Sequence, residues 1–438
     1  MDKKIFSVVG NPVGNSIYPF IFRKLFEYDR SGNIYTRIAA DTISDAFSTA
    51  RLVSVSGLNI ESPFRLDAFS FADITSANAE NIGAVNAVLF SKGEKYGLNT
   101  EYLALEQLLS AGPVNKPGKV IILGVGADSK SLAFGFNSHG WEVVILNSTL
   151  ASAVECSVKY GGTPGEFNSI RRHLSGASLV ILTGVECAPG TEVLSELKAL
   201  PVMLLGCSPE LEQLCRNMNI NIVSSMNFKM AQVLAAYSNF TGNSLPGEIT
   251  AELREILGKK QPLRNIISFV GFSSSGKTRC GRALAEKTGV PFADLDEEIE
   301  RQNGKSIVKI LEEDGFEAFA ASEKRILEKI LRANRRMVLA CGSDTVLSSE
   351  SRNLIKKMSY PVWLVSTSEM ILKTRSFMSF RPVEGGSMID AVNRIFGELK
   401  TCYADASELV VRSDINGTEK VAETVIREIE SIKKAECN

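Results

Sequence analysis

The sequence has few histidines and almost no net charge. Its 438 residues include two histidines, His139 and His173, and the formal net charge is −1 at pH 7. Catalysis through histidine therefore has few candidates, and no excess of charge points to nucleic acid or an anionic membrane as a partner. The eight cysteines include no C-x-x-C pair, which argues against a zinc site and favours reduced thiols in the cytoplasm.

Long apolar runs are also lacking. Gly10-Asn11-Pro12 ends the first apolar stretch, and no later stretch is long enough to span a membrane. We therefore expect no signal peptide and a cytoplasmic protein whose partners are small-molecule substrates. The composition is that of an ordinary globular protein, 44% hydrophobic and 23% charged. The length suggests two to three domains of roughly 150 residues each.

A phosphate-binding motif stands in the last part of the chain. The apolar run Ile266 to Val270 predicts a buried strand, the next eight residues fit G-x-x-x-x-G-K-[ST], and a helical pattern follows. Small residues let backbone N–H groups face phosphate oxygens at a helix N-terminus. Lys277 can reach the β- and γ-phosphates of ATP, and the Thr278 hydroxyl can bind Mg²⁺. A chance Gly/Ser-rich turn is the alternative, which the flanking strand and helix disfavour. The predicted nucleotide-binding residues of this loop are Gly271, Ser275, Gly276, Lys277 and Thr278.

A second glycine turn lies earlier in the chain. Lys119 to Leu123 predicts a strand, Gly124-Val125-Gly126-Ala127-Asp128-Ser129 a turn, and Glu142 to Asn147 a further strand beyond a helix of about residues 130–138. This βαβ pattern is typical of the pyrophosphate site in a Rossmann fold. It predicts Gly124, Gly126 and Ser129 as dinucleotide-binding residues. A purely structural β–α turn explains these residues equally well.

Strand and helix patterns alternate throughout the sequence, which predicts an α/β fold with parallel sheets. Glycine and proline cluster around a short helical piece between residues 241 and 262, where we place a domain boundary. The predicted segments are 1–105, 106–242, a linker at 243–263, and 264–438.

Several stretches of the first part resemble shikimate dehydrogenase, over its whole length to about Gly242. They are Gly10-Asn11-Pro12 with Ser16, Gly57 to Arg65, Gly83 to Asn86, Gly97 to Glu101, the turn at Gly124, Gln232, and Thr241-Gly242. The resemblance implies a substrate-binding lobe at 1–105 and a Rossmann lobe at 106–242. The implied reaction is reduction of 3-dehydroshikimate with NADPH. The implied substrate-binding residues are Ser16, Asn86 and Gln232.

The dehydrogenase chemistry falls on changed residues. Where the family has a lysine and an aspartate beside the reacting group, this chain has Arg65 and Glu101, which we take as the catalytic pair. A guanidinium keeps its proton in a protein, so Arg65 can polarise a carbonyl but cannot shuttle a proton. Residues 147–149 lack the family's arginine for the NADP 2′-phosphate, and no acidic residue suited to NAD replaces it.

The last part, from the phosphate loop to the C-terminus, resembles shikimate kinase. The matching residues are Phe292 to Asp296, Gly304 to Ile307, Phe319 with Glu323, Arg381-Pro382 and Tyr403. The resemblance implies an adenylate-kinase-like P-loop domain that uses ATP and Mg²⁺ to phosphorylate shikimate. Lys277 and Asp296 then correspond to catalytic residues, Thr278 and Asp294 to the metal side, Asp296 and Gly342 to the substrate side, and Arg381 to the lid over ATP.

The acceptor side of the kinase has also changed. Two arginines that bind the shikimate carboxylate in the family are Ala320 and Leu399 here, and a glycine triplet reads Gly342-Ser343-Asp344. Lys400 stands next to Leu399 and is a candidate substitute. A fusion of two successive pathway enzymes is the first hypothesis. The alternatives are a kinase for another hydroxylated metabolite with an inactive dehydrogenase-like part, and a non-catalytic nucleotide-binding regulator.

Overall fold

The computed structural model describes residues 3–111, 117–184, 189–244, 249–257, 262–333, 335–373 and 387–437. The chain divides into two compact units. One combines Met1–Phe64 with Ala251–Asn438, and the other is Arg65–Thr250. These units group residues by packing, whereas the predicted segments 1–105, 106–242, 243–263 and 264–438 follow chain order. The segment boundaries stay predictions.

Residues 3–64 contribute three parallel strands and two helices to the first unit. They are β1 (Ile5–Gly10), α1 (Tyr18–Tyr28), β2 (Ile34–Ala39), α2 (Ile43–Leu52) and β3 (Val55–Ile60). Strand β1 pairs in parallel with both β2 and β3. Every residue of β1 and β2 is buried, as expected for parallel strands that are covered on both faces.

The second unit contains a small sheet and a Rossmann-type sheet. Its elements are β4 (Ile74–Thr75), α3 (Ala77–Ile82), β5 (Ala87–Ser91), β6 (Glu94–Leu98), α4 (Thr100–Ala111), β7 (Lys119–Leu123), α5 (Ala127–Ser138), β8 (Glu142–Asn147), α6 (Leu150–Tyr160), β9 (Thr163–Glu166), β10 (Ala177–Thr183), α7 (Thr191–Ser195), β11 (Val202–Leu205), α8 (Pro209–Asn217), β12 (Ile222–Val223) and α9 (Met226–Thr241). β5 and β6 form an antiparallel pair that β4 extends.

The larger sheet has the strand order β12-β11-β10-β7-β8-β9, and all its pairs are parallel. Successive residues of β7 face different apolar clusters: Val120 and Ile122 join one, Ile121 and Leu123 the other. The predicted strands at 119–123 and 142–147 are confirmed. The intervening helix begins at Ala127, slightly before the predicted start, because Gly126 is its N-cap.

The remaining elements complete the first unit. They are α10 (Ile249–Leu257), which spans the boundary, β13 (Ile266–Val270), α11 (Lys277–Thr288), β14 (Phe292–Asp294), α12 (Leu295–Asn303), α13 (Ile307–Glu313), α14 (Gly315–Arg332), β15 (Met337–Ala340), α15 (Ser349–Met358), β16 (Ser359–Val365), α16 (Ser368–Leu372), α17 (Met388–Ala406), β17 (Leu409–Arg412) and α18 (Thr418–Cys437). The predicted strand at 266–270 coincides with β13. No helix in the described part of the chain is long and apolar enough to cross a bilayer.

One sheet runs through the whole first unit. The C-terminal strands have the parallel order β14-β15-β13-β16-β17, and β17 then pairs in parallel with β2, Leu409 opposite Arg37 and Val410 opposite Ile38. The sheet continues through β1 to β3. The first sixty or so residues therefore share a sheet with the phosphate-loop segment far along the chain.

A buried ion cluster stabilises this junction. The Arg264 guanidinium donates to both carboxylate oxygens of Glu408, at 2.8 and 3.1 Å, and to Glu436 at 2.6 Å. It also stacks on the Tyr360 ring at 4.1 Å. Burial alone raises the pKa of Glu408, but the positive charge of Arg264 outweighs that effect and lowers the pKa to about 2. Removing one member of such a cluster would leave a buried charge without its partner, at a typical cost of about 3–5 kcal/mol.

Candidate functional sites

The phosphate loop joins β13 to α11 in a conformation that depends on glycine. Gly271 has a φ of +150°, and a Cβ there would lie 2.5 Å from the Leu364 carbonyl oxygen. Gly276 is left-handed, with a φ of 92°, and directly precedes α11. The predicted cofactor residues of this loop are thus brought together around the N-terminus of one helix, where backbone N–H groups can meet phosphate oxygens.

The Lys277 ammonium lies across the loop. Its Nζ donates to the carbonyl oxygens of Gly271 at 2.9 Å and Phe272 at 3.1 Å, and to Ser343 Oγ at 3.3 Å. Burial lowers the pKa of Lys277. Nearby carboxylates, of which Asp296 has the largest effect, act in the opposite direction but do not cancel this shift. The Ser275 hydroxyl is buried and has no hydrogen-bond partner within the described residues. A cation and an unsatisfied hydroxyl directed at one loop fit a phosphate group.

Thr278 and Asp294 meet at the predicted metal side of the loop. Thr278 Oγ1 donates to Asp294 Oδ2 at 2.6 Å, and Asp294 Oδ1 accepts from the Asp296 backbone N–H at 3.0 Å. Within the described residues no group of three or more His, Cys, Asp or Glu side chains could hold a metal alone. This donor set fits Mg²⁺, which prefers oxygen ligands and usually takes few protein ligands beside substrate phosphates and water.

An acceptor cavity of about 260 Å³ opens beside the loop. Its lining residues are Phe272, Ser273, Asp296, Ile307, Leu311, Phe316, Phe319, Glu323, Gly342, Ser343 and Asp344. Burial, and then Asp294, raises the pKa of Asp296 to about 6. A Cβ at Gly342 would lie 2.8 Å from Asp296 Oδ1 and 2.9 Å from Glu323 Oε1. Gly342 therefore leaves the space in which these two carboxylates stand.

Glu323 is a site residue to which the sequence assigned no role. It lines the cavity, accepts from Thr345 Oγ1 at 2.5 Å, and has its pKa raised by burial to about 7. Its spacing after Phe319, one helical turn along the same face of α14, was the available signal.

The structure also locates the changed acceptor residues. Leu399 is buried in α17 and does not line the cavity. Lys400 donates to Ser54 Oγ at 2.8 Å, so it binds the N-terminal segment and is no substitute in the acceptor cavity. Among the lining residues that the structure describes, none is lysine or arginine. The predicted lid residue Arg381 lies outside the described residues.

The predicted dehydrogenase pair, Arg65 and Glu101, is in direct contact within the second unit. Arg65 Nη1 lies 2.5 Å from Glu101 Oε1 and also contacts Asp128 Oδ1. The Glu101 side chain is 1% exposed, against 20% for Arg65 and 23% for Asp128. Burial, and then the charge of Asp128, raises the pKa of Glu101 to about 8. Asp128 was not predicted as a site residue, although it stands in the quoted glycine turn.

The glycine turn has the backbone expected of a dinucleotide site. Gly124 has a φ of 108°, and a Cβ at Gly126 would meet no atom within 4 Å. The Ser129 hydroxyl is buried and hydrogen-bonded to Thr183 Oγ1 at 2.6 Å, so its side chain serves the packing of α5. The backbone fits a pyrophosphate, whereas the Asp128 carboxylate in the first turn of α5 opposes one by its charge.

The three predicted substrate-binding residues are all buried polar groups. Ser16 donates to Glu61 Oε1 at 3.1 Å, and its carbonyl oxygen accepts from Arg37 Nη2 at 3.2 Å. Asn86 Oδ1 accepts from the Thr100 backbone N–H at 2.7 Å, which places it beside the start of α4. Gln232 lies on α9.

Comparison with known proteins gives two families. The sequence profile for shikimate kinase matches residues 273–430, and that for the shikimate dehydrogenase substrate binding domain matches residues 8–88. A shikimate kinase of Nitrosococcus oceani is 30% identical over 168 residues, which are 38% of this chain and 88% of that protein. A shikimate dehydrogenase (NADP(+)) of Methanosarcina acetivorans is 28% identical over 268 residues, 56% of this chain and 96% of that protein.

A solved structure agrees with the fold. Shikimate dehydrogenase from Aquifex aeolicus superposes with a TM-score of 0.50 at 22% identity, over 57% of this chain and 97% of the other. The predicted α/β fold, with a dehydrogenase-like part followed by a P-loop kinase part, is confirmed. The chain belongs to the shikimate dehydrogenase family through its N-terminal part and to the shikimate kinase family through its C-terminal part.

Proposed function

We propose that this chain is a bifunctional enzyme of the shikimate pathway. Its N-terminal part reduces 3-dehydroshikimate with NADPH, and its C-terminal part transfers the γ-phosphoryl group of ATP to the 3-hydroxyl of shikimate. The observation that carries the kinase assignment is the convergence of Lys277, Thr278, Asp294 and Asp296 on one glycine loop beside an acceptor cavity. The relatives named above support the same pairing of activities.

In the kinase reaction, ATP supplies the transferable phosphoryl group and Mg²⁺ neutralises its charge. Lys277 and Ser275 hold the phosphates, and Thr278 with Asp294 holds the metal side. Asp296 faces the acceptor cavity, and with a pKa of about 6 it is mostly ionised at pH 7. An ionised carboxylate there orients the acceptor hydroxyl and takes up its proton as the new P–O bond forms.

In the dehydrogenase reaction, NADPH supplies the hydride to the carbonyl carbon. The carbonyl oxygen must gain a proton in the same reaction, and Arg65 cannot donate one. Glu101 can, because its pKa of about 8 leaves it protonated at pH 7. We assign Glu101 as the proton donor and Arg65 as a hydrogen-bond donor that polarises the carbonyl. We expect Arg65 and Glu101 to reduce the substrate more slowly than a lysine–aspartate pair would.

A second acceptor class is favoured by one observation. Because the acceptor cavity has no lysine or arginine among its described lining residues, a carboxylate in the substrate lacks a charged partner there. A neutral polyol hydroxyl meets no such cost, so a kinase for another hydroxylated metabolite is the alternative.

Two assays on the full chain test the proposal. NADPH oxidation with 3-dehydroshikimate tests the dehydrogenase, and ADP release with shikimate and ATP-Mg²⁺ tests the kinase. The kinase assay includes neutral polyols and other hydroxylated acids. Both substrates should turn over. Absence of ADP release with shikimate, together with release by a neutral acceptor, would favour the alternative.

A further inference from the structure

The glycine turn of the Rossmann-type sheet carries its own negative charge. Asp128 is the second residue of α5, whose N-cap Gly126 offers no side-chain hydrogen bond. The first N–H groups of a helix lack intrahelical partners, and the helix dipole there favours an anion. In a βαβ dinucleotide site this is the position of the pyrophosphate. Here a carboxylate already stands in that first turn.

The Asp128 carboxylate is held in place and kept ionised. Arg65 Nη1 contacts Asp128 Oδ1 while it also binds Glu101 Oε1. Burial by itself raises the pKa of Asp128, but the guanidinium of Arg65 and the hydrogen bond with Glu101 outweigh it, so the pKa is lowered. Arg65 is thus shared between two carboxyl groups, of which Glu101 is protonated at pH 7 and Asp128 carries the negative charge.

The residues at the end of strand β8 include no basic side chain that could offset the negative charge of Asp128. In dinucleotide sites that take NADP, a basic residue after the second strand binds the 2′-phosphate. Here β8 ends at Asn147, and residues 147–149 are Asn, Ser and Thr. Asn147 Nδ2 donates to Thr149 Oγ1 at 3.2 Å, which closes this loop on itself. The loop adds no positive charge beside the turn that holds Asp128.

We propose that Asp128 is a built-in competitor of the cofactor, a carboxylate that stands where the pyrophosphate binds and lowers the affinity of this unit for NADPH. The inference rests on the proposed dehydrogenase function, because it concerns the cofactor of that site. Through Arg65 the same carboxylate also ties up the group that we assign to the substrate carbonyl. Removing its charge frees both the helix N-terminus and one side of Arg65.

The test is NADPH binding by the full chain, followed by fluorescence without any dehydrogenase substrate. Excess ADP-Mg²⁺ is present throughout, so that the phosphate loop of the kinase part is filled. The variants are Asp128→Asn, which removes the charge at nearly constant size, and Asp128→Ala, which removes the group. Glu155→Gln on α6 is the matched control, because Glu155 is an exposed carboxylate of the same unit. Arg65 keeps Glu101 as a partner in both variants, so we expect them to fold.

Both Asp128 variants should bind NADPH at least about tenfold more tightly than the parent. A tenfold change in Kd corresponds to roughly 1.4 kcal/mol of binding free energy. The control should match the parent. The gain should shrink as salt is added, because salt screens like-charge repulsion at a partly exposed site. Equal gains by Asp128→Asn and Asp128→Ala would support the inference. Affinity that stays within twofold of the parent in both variants, or a gain by Asp128→Ala alone, would overturn it.

The outcome is separable from that of the proposed function. Tighter NADPH binding by the variants without turnover of 3-dehydroshikimate would support the inference and contradict the dehydrogenase assignment. Turnover by the parent with an NADPH affinity that neither variant changes would support the dehydrogenase and overturn the inference.

Discussion

The Glu428 carboxylate accepts a hydrogen bond of 2.9 Å from the backbone N–H of Gly14, which lies 414 positions earlier in the chain. The same oxygen accepts from Val13 at 2.8 Å. A Cβ at Gly14 would lie 2.3 Å from the Glu428 carbonyl oxygen, so helix α18 packs directly on this loop. The Ser16 backbone N–H in turn donates to the Val13 carbonyl oxygen at 3.2 Å. The C-terminal helix of the kinase part thereby supports the loop that presents Ser16.

Replacing Glu428 by Gln should weaken this support. Glu428 is fully buried, and hydrogen bonds to a charged group typically contribute about 1.5–3 kcal/mol. We expect a free energy of unfolding lower by about that amount, together with a higher KM for 3-dehydroshikimate. Denaturant unfolding and steady-state kinetics measure both. Glu430→Gln, an exposed residue of the same helix, is the control and should change neither. Equal stability of Glu428→Gln and the parent would show that the loop around Gly14 is stable without these hydrogen bonds.

Replacing Lys277 by Ala should lower the rate of phosphoryl transfer by orders of magnitude. The change removes the cation of the phosphate loop, and loss of one such stabilising donor typically costs about 10²–10³-fold in rate. ADP release with ATP-Mg²⁺ measures the effect. Lys287→Ala is the control, because Lys287 lies near the end of the same helix and binds Glu423 at 2.9 Å on the surface. A Lys277→Ala protein that hydrolyses ATP like the parent would contradict the assignment of this loop.

The double change Arg65→Lys with Glu101→Asp should raise the rate of 3-dehydroshikimate reduction. In the parent only Glu101 can exchange a proton with the substrate, whereas a lysine at position 65 can do so as well, and general acid–base catalysis is typically worth about 10²–10⁴-fold. NADPH oxidation at saturating cofactor measures the change. Arg171 and Glu196 form another ion pair of the same unit, at 2.6 Å, and Arg171→Lys with Glu196→Asp is the matched control. Parent rates that equal those usual for the family would remove the basis of this prediction.

The stability of the protein should fall as the pH rises toward 8, through Glu101. Burial raises its pKa from 4.5 to about 8, so the folded state favours the protonated form. The stability that Glu101 contributes is fully present below its ordinary pKa of 4.5 and is lost as the pH rises through about 8. Glu101→Gln cannot ionise and should flatten the decline in unfolding temperature between pH 5 and 9. Glu106→Gln, exposed on the same helix, should keep the slope of the parent. Parallel slopes for Glu101→Gln and the parent would exclude Glu101 as the cause.

Replacing Ala320 by Arg should lower the KM of the kinase for shikimate. Ala320 lies on α14, between Phe319 and Glu323 of the acceptor cavity. A guanidinium there can bind the substrate carboxylate, and the lack of such a partner in a desolvated site typically costs about 2–5 kcal/mol. Ala321→Arg places the same charge one exposed position away and should leave KM unchanged. Because Leu399 is buried, Leu399→Arg would disturb packing and is the weaker test. A parent KM already in the range of the family, and unchanged in Ala320→Arg, would mean that other residues bind the carboxylate.

The elements that were predicted correctly from the sequence are those that short local patterns encode. The strand at 266–270 and the glycine loop after it are encoded within about twenty consecutive residues, so apolar pattern and glycine spacing determine them. The same holds for β7, the turn at Gly124 and β8. The placement of Arg65 and Glu101 at one site followed only from the family resemblance, since the two residues are 36 positions apart.

Long-range contacts left no local signal. Strands β2 and β17 each have the pattern of an ordinary buried parallel strand, and nothing in either sequence states that they are neighbours. Asp128 was visible in the glycine turn, but its meaning depends on Arg65, 63 positions away. In the sequence, Glu428 is one of several polar residues on an amphipathic helix. Its role becomes visible only from its contact with Gly14 in the structure.

The pairing of β17 with β2 has a consequence for how this chain can change in evolution. Deleting either enzyme's segment would strip a neighbour from an interior strand and expose an unpaired, apolar parallel edge that invites aggregation. Loss of one stretch of gene would therefore leave the other part with an apolar strand edge that is paired in this chain. Decay of one activity by single substitutions would leave this pairing intact. Arg65, Glu101, Ala320 and Leu399, which differ from the residues that the resemblance implies at these positions, would be changes of that kind.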